Sequence, residues 1–296
     1  MNRMEAKVRI VQSVRHLYDA SECQAIAHQL LEHITGKPFS HNASEALSSE
    51  ELAQLEAAQL QLAQGAPLQY VTNTAYFHHL KLYVDQRVLI PRPETEELVQ
   101  WVIEDVKAAH PYLLHSSPAT ADQTKACKIL DVGTGSGCIA LSIKKAVPLA
   151  EVWGCDVSDD ALTVARRNGA ELDVRVDFQA VDFLDKAQQR TLPTVHVVVS
   201  NPPYIPLQQA ANMHRNVKDW EPHQALFVPN EDALLFYKAF IQFGTHRLYE
   251  GSSIYAELHF DKASEVEQLF QEAGYDTTIK EDMQGVERMI RAVKRK

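Results

Sequence analysis

The spacing of apolar and polar positions changes period partway along the chain. Up to about residue 75, apolar residues recur at helical spacing in segments rich in Ala, Gln, Glu and Leu. This predicts short helices over Glu5 to Tyr18, Ser21 to Thr35, Ser40 to Leu47 and Ser49 to Gln64. Ser48 followed three residues later by Glu51 has the spacing of a capping box at the start of the last helix. From Tyr76 to Ile90 the pattern alternates, as in a hairpin joining two domains. Beyond a polar stretch, Pro111 to Lys125, short apolar runs alternate with helical segments. Strands are expected at Lys128 to Val132, Glu151 to Val157, Val174 to Val181, Val195 to Ser200 and Ser253 to Leu258. Helices are expected over Cys138 to Val147, Ser158 to Ala170, Asp232 to Tyr249 and Asp261 to Ala273. A closing pair, Tyr275 to Glu281 and Glu287 to Val293, forms an antiparallel edge hairpin. The alternation predicts an α/β fold with a mostly parallel sheet wound on both faces, preceded by a small helical domain. The expected divisions are 1–75 for the helical domain, 76–92 for the linking hairpin and 93–296 for the α/β domain.

Chemistry gathers at the ends of the expected strands. The first runs into Gly133-Thr134-Gly135-Ser136-Gly137 and then a helix start. Glycines there allow a tight turn and close approach to a ligand, whose polar groups meet the free N–H donors. The pattern is G-x-G-x-G and lacks the final glycine spacing of a dinucleotide fingerprint. Asp156, about 20 residues beyond the glycines, stands where an acid can accept hydrogen bonds from ribose hydroxyls. Asp182-Phe183, after the third strand, is placed to meet the edge and face of an adenine. The fourth strand ends in Asn201-Pro202-Pro203-Tyr204. A planar amine on an sp2 carbon is a poor nucleophile because its lone pair is delocalised. The Asn201 carboxamide oxygen and a backbone carbonyl can accept its two protons while the Tyr204 ring packs on its flat face. Pro202 and Pro203 remove backbone donors and restrict φ, turning the neighbouring carbonyls outward. A strand ending in a Pro-rich turn would read the same way at that one motif. The ordered series of four is what favours a ligand site.

Beyond these motifs, the chain resembles class I, S-adenosylmethionine-dependent amino-methyltransferases, and among them the HemK/PrmC family of release-factor glutamine methyltransferases. The resemblance runs through Gly65-Ala66-Pro67-Leu68-Gln69-Tyr70, Tyr76-Phe77 and above all Leu89-Ile90-Pro91-Arg92-Pro93-Glu94-Thr95-Glu96. That last segment also has ordinary helix-start features, a proline in the first turn followed by acids. The resemblance implies a Rossmann-like methyltransferase sheet with S-adenosylmethionine as cofactor. In it Gly133 to Gly137 line the methionine and ribose, Asp156 holds the ribose, and Asp182 and Phe183 hold the adenine. Asn201, Pro202, Pro203 and Tyr204 receive the acceptor amide, with Asn201 also bordering the cofactor. The implied substrate is the glutamine of the Gly-Gly-Gln loop in class 1 peptide chain release factors. An adenine-N6 or guanine-N2 nucleic-acid methyltransferase, and a nonenzymatic module with an inactive nucleotide fold, stand as alternatives. The chain departs from the family pattern at Thr72-Asn73, at Val228 to Ala233, which lacks glycines, and at Leu258-His259 after Glu257.

Composition narrows the partners. The 296 residues are 45% hydrophobic with a net charge of -10, which disfavours nonspecific nucleic-acid binding through phosphate contacts. Residues 1–75 carry five basic and eight acidic side chains, so a protein-docking bundle suits them better than a nucleic-acid module. Cys23, Cys127, Cys138 and Cys155 form no C-x-x-C pair, and the scattered histidines suggest no metal site. His78 and His79 are adjacent in the expected hairpin, where strand neighbours point to opposite faces. No apolar run is long enough to span a bilayer, and a monomeric cytoplasmic enzyme is expected.

Overall fold

Local signals set most of the helix boundaries in the computed structural model, which describes residues 1–39, 43–110, 127–230 and 232–295. Helix α1 (Arg3–Val14) begins with a capping box between Asn2 and Glu5. α2 (Ala20–Thr35) is capped by Asp19 and stopped by Gly36 in the left-handed region. α3 (Ser49–Ala63) carries the expected reciprocal bonds between Ser48 and Glu51, and α4 (Leu68–Val71) is a single turn. The first three pack the apolar faces of Ala6, Ile10, Val14, Leu30, Leu31, Leu55 and Leu62 into one core. The helix expected over Ser40 to Leu47 is not found. Its first three residues lie outside the described ones, and Ala43, Glu45 and Ala46 instead serve the start of α1. Ala43 and Glu45 carbonyls accept from Met4 and Arg3 N–H, and Ala46 bridges Asn2. The buried Arg3 guanidinium donates to the Lys37 and Pro38 carbonyls, just after α2.

Strands β1 (Ala75–Phe77) and β2 (Leu80–Leu82) pair antiparallel. The hairpin expected up to Ile90 therefore stops early. Tyr83 bonds through its N–H to the Asn168 side chain, and Asp85 ties down the Arg87 N–H and guanidinium. His78 and His79 form the turn itself, both at positive φ, so the strand-face expectation does not apply to them. Asn73, in the Thr72-Asn73 pair that departs from the family pattern, also adopts a left-handed φ of 48°.

There follow α5 (Pro93–Ala109), β3 (Lys128–Val132), α6 (Cys138–Ala146), β4 (Glu151–Asp156), α7 (Asp159–Glu171), β5 (Asp177–Ala180), α8 (Lys186–Gln189) and β6 (Val195–Ser200). Two short strands, β7 (Ile205–Pro206) and β8 (Phe227–Val228), flank α9 (Arg215–Trp220) and α10 (His223–Leu226). The chain closes with α11 (Leu235–Arg247), β9 (Leu248–Glu257), α12 (Ala263–Glu272), β10 (Tyr275–Glu281) and β11 (Glu287–Lys294). The polar loop expected over Pro111 to Lys125 lies outside the described residues.

The main sheet has seven strands in the order β10-β11-β9-β6-β3-β4-β5. β9, β6, β3, β4 and β5 run parallel, while β11 is antiparallel to both its neighbours. From β3 the chain builds outward through β4 and β5, then returns to the other side of β3 with β6. This reversal opens a crevice at the carboxyl ends of β3 and β6, the usual ligand position in such sheets. The described residues divide into two compact units. One comprises residues 1–74 together with Met213–Trp220, and the other comprises residues 75–212 and 221–296. In the helical unit, His214 stacks on Tyr18 and Asn216 donates to the Tyr18 hydroxyl.

Gly154 in β4 is a packing requirement rather than a turn. A Cβ there would stand 2.7 Å from the Phe178 ring and 2.8 Å from Thr134 Oγ1. Gly154→Ala is expected to destabilise the protein by roughly 1–3 kcal/mol, the scale of overpacking in a filled core. Denaturant unfolding checks this, and a midpoint equal to that of the natural protein would show that the sheet yields freely there.

Candidate active site

The glycine turn starts where β3 ends, with Val132 paired to Cys155 on one side and Ser200 on the other. Gly133 and Thr134 both donate their N–H to the Cys155 carbonyl, at 2.9 and 3.0 Å. Gly133, Gly135 and Gly137 have φ values of 68°, 53° and 82°, a region that other residues reach only at a cost. Gly137 closes the turn by donating to the Thr134 carbonyl and serves as the N-cap of α6. Beneath it, fully buried Asp131 accepts from Thr134 Oγ1 at 2.6 Å and from the Ala140 N–H at 3.2 Å. Burial pushes the Asp131 carboxyl up to about 7 despite those two bonds, and its Oδ1 is buried without a hydrogen-bond partner. Asn168, on α7, braces the turn by donating to the Ser136 and Tyr83 carbonyls.

Asp156 ends β4 half-buried, accepting from the Gly135 N–H on Oδ2 and the Ser158 N–H on Oδ1, each at 2.9 Å. Burial raises its pKa, and the backbone donors work against the rise. Half-buried Asp182 follows β5, with Oδ1 accepting from the Leu184 N–H. Phe183 differs from expectation. Its ring is only 4% exposed and lies against Phe240 and Phe243, at centroid distances of 5.5 and 5.3 Å. The ring is a core side chain held by α11 rather than a face open to adenine, leaving Asp182 as the polar group there.

Across the crevice, Ser200 Oγ donates to the Val132 carbonyl and fixes the end of β6 beside β3. Asn201 follows, and its Nδ2 donates to Thr95 Oγ1 at 3.1 Å. Thr95 sits in the first turn of α5, which the 93–96 segment starts with Pro93 at its head. Pro202 is buried, while Pro203 and Tyr204 are half-buried. The Tyr204 ring meets His259 edge-on, with centroids 6.0 Å apart. Burial, reinforced by Glu257, pushes the Tyr204 hydroxyl up to about 12, so it stays protonated.

Three further side chains belong to this group. Ser200 pairs with Ala256 in β9, which places Glu257 at the same edge of the sheet as Asn201. Glu257 is 2% exposed, and burial pushes it up to about 7, with Thr95, Arg288 and Arg92 opposing the shift. Arg92 donates to Glu221 Oε1 at 2.6 Å, and the Ile90 N–H donates to Oε2 at 3.2 Å. Glu221 is 4% exposed, so this pair locks the start of α5 to the segment after α9. In the sequence Arg92 and Glu221 stand 129 positions apart with nothing to join them, and Glu257, Thr95 and Asp131 were given no role. An acid in an apolar strand end was the available signal for Asp131 and Glu257.

A family profile described as "Methyltransferase small domain" matches residues 112–218. A release factor glutamine methyltransferase from Flavobacterium psychrophilum is 34% identical over 290 residues, 96% of each chain. One from Bacteroides thetaiotaomicron is 33% identical over 303 residues, 99% of each chain. Among solved structures, the hMettl16 catalytic domain with the MAT2A 3'UTR hairpin 6 superposes with a TM-score of 0.52 at 16% identity. That match covers 82% of this chain and 81% of the other, and the likeness is one of fold.

Glu257 makes stability depend on pH with a definite sign. The folded protein keeps the proton to about 7, whereas the unfolded chain loses it near the ordinary Glu value of 4.5. Between those values the unfolded state binds fewer protons, so the contribution of Glu257 turns unfavourable as pH rises and is fully so above 7. Glu257→Gln should therefore gain roughly 2–3 kcal/mol of stability over the natural protein at pH 8 relative to its effect at pH 4.5. Urea unfolding at the two pH values measures the difference, and equal effects at both would contradict a buried, raised carboxyl.

Proposed function

The chain belongs to the release factor glutamine methyltransferase family, and on that premise we propose that it methylates a glutamine side-chain nitrogen in a peptide chain release factor. The acceptor is the glutamine of the Gly-Gly-Gln loop, and the product is N5-methylglutamine. Asn201 carries this reading. Its amide nitrogen is committed to Thr95, so Oδ1 is the end left to accept an N–H from a planar amide.

The cofactor is S-adenosylmethionine, which when bound supplies a methyl group on a sulfonium. Three features of the site suit it. The positive-φ glycines leave the turn without side chains at those positions, the start of α6 has N–H groups with no acceptor inside the helix, and the Asp156 carboxyl borders the turn through its bond to Gly135. Gly133, Thr134, Gly135, Ser136 and Gly137 would line the methionine and ribose. Asp156 would accept from the ribose hydroxyls, since each of its oxygens has a second lone pair beyond the backbone bond it already takes. Asp182 would take the adenine amine.

At the acceptor end, Asn201 Oδ1 and the Pro202 carbonyl take the two N–H protons of the carboxamide, and the Tyr204 ring packs on its flat face. Pro203 keeps the turn rigid. These acceptors fix the nitrogen in line and favour the positive charge that develops on it. A base amine presents the same planar group, but the net charge of -10 weighs against a nucleic-acid substrate. The helical unit, acidic and exposing Met4, Val8 and Leu60, recognises the body of the release factor and supplies binding energy away from the reacting atoms. Action on release factors puts the reaction in the cytoplasm.

Transfer of labelled methyl to purified release factor, and none to nucleic acid, tests the substrate; the opposite result would replace this reading. Asp156→Ala should weaken cofactor binding by roughly 1.5–3 kcal/mol, as for a hydrogen bond to a charged group, and unchanged calorimetric affinity would remove Asp156 from the site. Asn201→Ala should cut turnover by about 100-fold while cofactor affinity falls much less, whereas near-normal turnover would end the amide-clamp reading. Val8→Glu combined with Leu60→Glu should raise KM for intact release factor about several-fold at unchanged cofactor affinity; an unaltered kcat/KM would take these side chains out of recognition.

A further inference from the structure

Asn201 lies beside a buried carboxyl that the proposed chemistry does not use. Thr95, 2% exposed, accepts the Asn201 Nδ2 proton. Its hydroxyl also favours the charged form of the Glu257 carboxyl, which the strand register sets beside Asn201. Thr95 comes from the start of α5, Asn201 from the end of β6 and Glu257 from the end of β9, so three separate segments meet. Glu257 Oε1 is buried with no hydrogen-bond partner. Arg92, Arg288 and Glu94 act on the carboxyl through charge, and the Tyr237 hydroxyl bonds to the Glu257 backbone carbonyl. No ion pair within 4 Å holds the carboxyl among the described residues. Burying a carboxyl so sparsely partnered costs stability, which points to a task other than holding the fold together.

That task follows from hydrogen-bond polarity. The two ends of a carboxamide are nearly equal in size, and one is a donor while the other is an acceptor. With the wrong end forward, Asn201 would present N–H groups to the N–H groups of the incoming amide. A hydroxyl gives one proton and accepts others, whereas an ionised carboxyl only accepts. Above about pH 7, where Glu257 is ionised, its carboxylate draws the Thr95 proton toward itself and leaves the Thr95 lone pairs facing Asn201. Only the nitrogen end of the amide can meet those lone pairs, and Oδ1 then faces the acceptor.

We infer that Thr95 and Glu257 are positioning residues that set the orientation of the Asn201 carboxamide, an assignment that rests on Asn201 being the acceptor clamp. Full-length enzyme, labelled S-adenosylmethionine and release factor, assayed at pH 8, test it. Thr95→Val, which keeps the shape and loses the hydroxyl, should lower kcat by about tenfold or more while KM and cofactor affinity stay within about twofold. Thr95→Ser should restore most of the rate. Glu257→Gln, whose amide can also donate, should lower kcat because the direction of the chain is no longer enforced. Adding Thr95→Val to Asn201→Ala should cost nothing further, since the two act as one unit. Thr95→Val with normal kcat, Thr95→Ser as slow as Thr95→Val, or fully multiplicative losses would each overturn the assignment. If Thr95→Val does not fold by circular dichroism, Glu257→Gln decides: kcat within about twofold of the natural enzyme overturns it and a larger loss supports it. A normal rate for Asn201→Ala removes the clamp and this assignment with it. A slow Asn201→Ala beside a normal Thr95→Val removes the assignment alone.

Discussion

The Asp131 carboxylate holds the last residues of β3, the glycine turn and the first turn of α6 in a single arrangement. Its Oδ2 takes both the Thr134 hydroxyl and the Ala140 N–H, so one oxygen spans the whole bend. The turn could not be pinned as well by its own backbone, because three of its residues are glycines at positive φ and glycine has the most conformational freedom to lose. A buried acid is costly, and here the cost falls where a loop of intrinsically loose residues must present its N–H groups in fixed directions. The arrangement extends outward from Asp131. Thr134 rests near Gly154, Gly135 leans on Asp156, and Ser136 is braced by Asn168.

The sheet does for the acceptor side what Asp131 does for the cofactor side. Parallel register places Val132 beside Ser200 and Ser200 beside Ala256, so residues 133, 201 and 257 leave the sheet at one edge. Asn201 and Glu257 need no long reach to meet, because adjacent parallel strands already stand close. The remaining wall is the start of α5, held by the Arg92–Glu221 pair. Such a buried ion pair contributes less to net stability than to fixing which segments meet.

Legibility in the sequence followed the range of the interactions. Local signals, such as the Ser48–Glu51 box and the alternating strands and helices, placed most elements within a few residues. The glycine turn and Asn201 were visible because each stands directly after an apolar strand, and Asp156 because it ends one. Failures came where a distant partner decided the outcome. Residues 43–47 looked helical but are recruited by the first turn of α1. The expected hairpin ended early because Tyr83 turns to Asn168, 85 positions away. Phe183 looked like a ligand-facing aromatic, and only the packing of α11 shows it to be core. The link between Asn201 and Thr95 spans 106 positions, and no local pattern encodes it.

The excursion of Met213–Trp220 into the helical unit makes that unit discontinuous along the chain. Its final piece is synthesised only after four of the seven strands of the main sheet have been made, so the helical unit cannot reach its complete form as an independent first product of translation. Nor is it a detachable cassette. Exchanging residues 1–74 between relatives would pair a foreign bundle with a resident octapeptide whose His214 and Asn216 are fitted to Tyr18. Variation in the two segments is thereby tied together, although about 140 residues of chain lie between them.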